Sequence, residues 1–151
     1  MVFDAVIGNT DRHHENWGLK LRLGTGPHAF VMSIAPSFDH ASSLGRECLD
    51  ERAAKLLHDH RVPQYINAGR GGVYWEPSGN KGANPLALVK LAAEKYPRYF
   101  APALAKICTL TEDDVRQMIS RIPTNLASDV SKRLALAIVV YSLFELKRIQ
   151  T

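Results

Sequence analysis

The 151-residue chain has little cysteine, no long hydrophobic run, no block of like charge and no internal repeat. Each shortage excludes something. Cys48 and Cys108 lie far apart, with no secretory leader pattern ahead of them, so a reducing cytosol and two small core side chains are expected rather than a disulfide. The most apolar segment, LALAIVVYSLF from Leu134 to Phe144, is eleven residues long. A bilayer crossing needs about 20, so this segment predicts a buried helix and no membrane span. Lys and Arg number 19 against 15 acids, and the net charge of +4 is spread along the chain without a basic cluster, so direct nucleic-acid binding is not expected. With no repeat and no low-complexity tract, one globular unit around a single core is the expectation.

The pattern along the chain predicts a mainly helical α+β fold with one small hairpin. VFDAVIG reads as the last turns of a helix in which Val2, Phe3 and Val6 share a face and Gly8 ends it. On that reading the polypeptide is cut from something longer. WGLKLRL alternates apolar and basic residues, GTGPH supplies turn chemistry and AFVMSI is a second short apolar run, which together predict a hairpin over 17–34. DERAAKLLHDH has helical spacing at Ala53, Leu56 and Leu57, with acids in its first turn. The glycine-rich stretch 62–83 shows no steady period and reads as a long irregular connection. Beyond it the chain is helical: Asn84 with Pro85 opens a helix carrying Leu86, Val89, Ala93 and Tyr96 and ended by Pro97. Thr111 with Asp114 makes a capping-box variant ahead of Val115, Met118, Ile119 and Ile122, and a final helix runs from about Ser128 to Ile149. The helical body spans 50–151.

What the chain does have is a dense polar cluster, GNTDRHHENWG at 8–18, followed across the predicted hairpin by APSFDHASSLG at 35–45. Phosphoryl transfer needs a carboxylate to orient an attacking hydroxyl and oxygen ligands to hold magnesium against phosphates. Asp11 and Asn16 offer two of these groups, separated by four residues as the catalytic Asp and metal-binding Asn are in the protein-kinase loop. Asp39 is the acid that follows the hairpin, where the second metal ligand of that pattern stands. Singly, Asp11 is a turn-capping acid, Asn16 a turn former and Asp39 an Asx-turn residue. Their order and spacing carry the inference.

GNTDRHHENWG with APSFDHASSLG resembles the HipA-like serine/threonine kinases, an atypical kinase fold with an aspartate, a histidine two residues on and an asparagine in this order. Asp-Arg-His is also similar to the phosphatidylinositol kinase loop. EKYPRYFAPALAKI and DDVRQMISRIPTNL are similar to segments in helices of the HipA C-terminal lobe. The resemblance implies a C-terminal kinase lobe with a catalytic loop at 8–18 and a metal loop at 35–45. It makes Asp11 the proton acceptor, Asn16 and Asp39 magnesium ligands, and His13 a nucleotide-side neighbour and second candidate base. ATP and Mg are the implied cofactors, and a protein with an acceptor hydroxyl the implied substrate. The implied setting is a cytoplasmic toxin–antitoxin system with an antitoxin-like partner. A lysine that often precedes the HipA asparagine is Glu15 here.

A kinase of this type also needs an N-terminal lobe with a phosphate-covering loop, a phosphate-binding lysine and an adenine grip. GRGG at 69–72 lacks the Walker context, and neither Lys20 nor Lys81 sits in a nucleotide motif, so that lobe is expected to be absent from this chain. Two rival classes remain: a non-catalytic kinase-lobe remnant serving as an interaction module, and a zinc hydrolase built from Asp11, His13, His14 and His40. The second lacks HExxH or cysteine-pair spacing.

Overall fold

The computed structural model describes residues 1–23, 30–76 and 79–149. The GTGPH turn of the hairpin lies outside them. Helix α1 (Val2–Ile7) ends at Gly8, whose left-handed φ of 63° turns the chain into the polar cluster. A single 3-10 turn (His14–Asn16) leads to the antiparallel strands β1 (Leu19–Leu23) and β2 (Phe30–Ile34), as the alternation predicts. Six helices follow: α2 (Asp50–His58), α3 (Val62–Ala68), α4 (Pro85–Lys95), α5 (Pro97–Cys108), α6 (Glu112–Ser120) and α7 (Asp129–Lys147). The described residues are thus mainly helical with one two-stranded sheet. Among them no helix is long and apolar enough to cross a membrane.

The long irregular connection expected over 62–83 is corrected at its start. Val62 and Ile66, one helical turn apart, are both buried, and Pro63 occupies the first turn, where a missing N–H breaks no bond. The glycines that follow hid this short period. Pro97 ends α4 and also begins α5, which tolerates Pro102 in its interior. Tyr96, expected on the α4 stripe, stands half exposed where the two helices break, and Phe3 is likewise exposed rather than sharing the buried face of Val6.

The predicted caps are present. The Asn84 side chain accepts from the Ala87 N–H at 3.0 Å, and Thr111 and Asp114 exchange both bonds of the capping box. Ser128, expected only as the approximate start of the last helix, is its cap and accepts from the Ser131 N–H. Helix α7 is the axis of the core: Leu134, Ile138, Val139, Leu143 and Leu146 are buried against α1 and the other helices. It contains the apolar run at 134–144. Lys90 on α4 pairs with Glu145 on α7, which holds the Glu145 carboxyl below the usual range. Cys48 is buried in this core, and neither cysteine is in a disulfide.

The hairpin takes no part in the core. Its register sets Leu19 opposite Ile34, Leu21 opposite Met32 and Leu23 opposite Phe30, so six large apolar side chains share one face. All six are exposed, Leu21 at 65% and Met32 at 67%.

Candidate functional site

The site is built around Arg12, 3% exposed, rather than around any acid. An arginine has five N–H donors, and here all five are used. Nε and Nη2 both donate to Asp4 Oδ1, at 3.0 and 2.7 Å. Nη1 donates to the carbonyls of Asn16 (3.0 Å) and Phe38 (2.8 Å). Nη2 also reaches His40 Nδ1 at 2.9 Å. Because a guanidinium cannot accept, that ring nitrogen is the acceptor and the His40 hydrogen lies on Nε2, which faces Ser37 Oγ at 3.1 Å. The 3.7 Å approach of His40 to Asp4 is then a neighbouring contact rather than an ion pair.

Asp4 is the anchor. It sits on the buried side of α1 at 2% exposure, and Asn9 Nδ2 adds a third bond to its Oδ1 at 2.9 Å. Its other oxygen has no hydrogen-bond partner among the described residues and is neutralised by the Met1 amino group at 2.9 Å. Burial pushes this carboxyl up, but Arg12, the amino group and Asn9 together outweigh it and hold the pKa at about 2. Asn9 works in both directions, since its Oδ1 accepts the Asp11 N–H at 3.0 Å.

The predicted residues fall around this clamp. Asn16, 4% exposed, is fixed by its own carbonyl on Arg12 and by its side-chain amide donating to the Asp11 carbonyl at 2.9 Å. Asp39 is exposed and left-handed at φ 55°, a conformation that costs an aspartate on the order of 1 kcal/mol. Its neighbours Phe38 and His40 are both held by Arg12, so the strain is maintained from either side. Loops 8–18 and 35–45 therefore meet at one guanidinium. They are joined again where Thr10 N–H donates to the Ser42 carbonyl and Leu44 N–H to that of Ile7. The Asp11 and Asp39 carboxylates and the Asn16 amide oxygen make no hydrogen bond or ion pair among the described residues.

His13 has a local task. Its Nδ1 accepts the Glu15 N–H at 3.3 Å and so caps the 3-10 turn, while the Glu15 carboxylate stands exposed 3.7 Å from the same nitrogen. The GRGG segment packs against the back of the same loop. Gly72 N–H donates to the Arg12 carbonyl at 3.0 Å, and a Cβ at Gly72 would lie 2.8 Å from the Cβ of His13, so only glycine permits the approach. The histidine cluster does not converge: His40 stacks edge-on against Phe3, and no group of three His, Cys, Asp or Glu among the described residues could hold a metal. That geometry speaks against the zinc hydrolase.

Sequence reasoning missed Asp4, Asn9 and the central place of Arg12. One signal was there: an aspartate inside the apolar helical run VFDAVI, a costly residue to bury without a cationic partner. The hairpin and helical body define an α+β domain whose polar centre joins two loops. No family model matches the chain, and no curated protein or solved structure does either.

Proposed function

We propose that this chain is the catalytic and magnesium-binding half of a HipA-like, ATP-dependent serine/threonine kinase, active when completed by a nucleotide-covering lobe. One observation carries the reading: a single buried guanidinium draws together the loops bearing Asp11, Asn16 and Asp39, whose side-chain oxygens have no partner among the described residues. One amide and one carboxylate oxygen suit magnesium, whose other positions go to phosphate oxygens and water, so Asn16 and Asp39 would be its protein ligands. When bound, the metal neutralises charge on the phosphates.

Asp11 is the group that orients the acceptor hydroxyl and takes its proton. His13 is the weaker candidate, because a ring whose Nδ1 accepts the Glu15 amide carries its hydrogen on Nε2 and has no free basic nitrogen in that tautomer. GRGG is occupied in backbone packing and offers no phosphate cradle. The nucleotide-covering lobe is therefore assigned to another segment or polypeptide. The bare apolar face of the hairpin, lying between the two loops in sequence, is the surface on which that lobe would rest. A protein substrate with an acceptor hydroxyl, an antitoxin-like partner and a cytoplasmic toxin–antitoxin setting rest on the resemblance alone.

The test is phosphotransfer by the completed enzyme. Asp11→Ala lowers turnover by about 100-fold or more, the range for loss of a general base, while Asn16→Ala and Asp39→Ala abolish magnesium-dependent ATP binding. Wild-type turnover by Asp11→Ala overturns the proposal. The exposed hairpin face also favours a second reading, a non-catalytic interaction module. Tight partner binding that survives changing all three residues, in a chain with no magnesium-dependent nucleotide binding, selects it instead.

A further inference from the structure

Residues of α1, α2, α3, α4 and α7, with Thr10 of the polar loop, line a cavity of about 310 Å³ that Arg12 does not reach. This lies at the small end of ligand pockets, which run roughly 300–1,000 Å³. Its floor is apolar, formed by buried side chains such as Leu86 and Ile138, and its rim carries Arg52, Arg70, Tyr65 and Thr10. Asp11, Asn16 and Asp39 do not line it.

The charge on the rim is unbalanced. Arg52 makes no ion pair or hydrogen bond among the described residues, and its guanidinium rests 5.9 Å from the centre of the Tyr65 ring, which orders it without using its donors. Arg70 Nη1 donates to the carbonyls of Asn67 and Gly69, each at 2.8 Å, which fixes the guanidinium plane. Its Nε and Nη2 donors have no partner among the described residues. Both amide hydrogens of Asn84, the buried polar side chain of the lining, are already taken by the Ile66 and Gly69 carbonyls, while its oxygen accepts the Ala87 N–H, so it has no donor left for an anion. Recognition therefore falls to two guanidinium forks, whose geometry matches carboxylate and phosphate oxygens, with an apolar floor beneath them.

We infer that this cavity binds a small organic anion, with its oxyanion held between Arg52 and Arg70 and its apolar body on Leu86 and Ile138. The inference does not depend on the phosphotransfer reading, since it uses none of that site's residues. Phenyl phosphate and benzoate distinguish phosphate from carboxylate as the bound group, inorganic phosphate reports the contribution of the anion alone, and benzyl alcohol that of the apolar body alone. Titration of the intact chain, followed by calorimetry and by amide shifts, is expected to show at least one aromatic anion binding at millimolar concentration or below, with shifts at Gly8, Ile66 and Gly69. Benzyl alcohol and inorganic phosphate bind more weakly. Arg52→Gln with Arg70→Gln, both exposed positions, weakens the aromatic anion by about tenfold or more, with far-UV circular dichroism unchanged. Undiminished affinity in that double variant, or wild-type shifts that avoid the cavity for every anion, overturns the inference. A misfolded double variant leaves the wild-type shift map to decide.

Discussion

Arg12 shows how one side chain can set the geometry of residues it does not resemble chemically. It carries no candidate chemistry, yet its five bonds fix Asn16, flank Asp39 and end on Asp4. Removing one partner from such a buried pair strands the other charge, which typically costs 3–5 kcal/mol. Asp4→Asn is expected to destabilise the chain by about that amount in urea unfolding at neutral pH. The pH dependence follows from the same carboxyl. Its folded pKa of about 2 lies below the ordinary 3.8, so its contribution is complete above about pH 4 and is lost as the pH falls from there toward 2. The loss amounts to about 2 kcal/mol, and unfolding curves of Asp4→Asn should show a correspondingly smaller drop between pH 5 and pH 2. None of this was legible from the motif itself, in which nothing assigns Arg12 a role. A guanidinium has to be followed to its partners before its role is visible.

The hairpin is the element least explained by the chain's own packing. A two-stranded sheet is marginal in water unless something covers one face, and here the face of Leu19, Leu21, Leu23, Phe30, Met32 and Ile34 is uncovered. Because these side chains contribute little burial, Leu21→Ser with Met32→Ser should change the unfolding free energy of the chain by less than about 0.5 kcal/mol. On the phosphotransfer reading proposed above, the same pair should markedly lower turnover of the completed enzyme by weakening the covering lobe's contact. Unchanged turnover there would show that the lobe docks elsewhere. The alternation of WGLKLRL and the short apolar run AFVMSI made the two strands readable in advance. It could not say that this face would remain outside the core, because period 2 reports which side chains share a face and not what lies against it. Helix α3 failed in the opposite way: seven residues with two buried anchors are too short a period to stand out beside the glycines at 69, 71 and 72.

Across the whole molecule, α7 links elements that are far apart in sequence, with Leu134 and Ile138 toward its start and Leu143 and Leu146 toward its end all buried. Such a shared axis predicts a single cooperative unfolding transition with coincident near- and far-UV signals. Leu146→Ala, at a fully buried position, should cost about 2–5 kcal/mol and shift that transition as a unit. The amino-acid order alone specified the caps at Asn84 and Thr111, the buried run of α7, the two strands and the succession of Asp11, Asn16 and Asp39. Those features depend on residues a few positions apart, where capping, alternation and turn chemistry act. Tertiary packing decided that Arg12 would hold Phe38 and His40, that Arg52 and Arg70 would face one cavity, and that the hairpin would stay bare. Each of these depends on groups that the chain separates and only the closed core brings within reach.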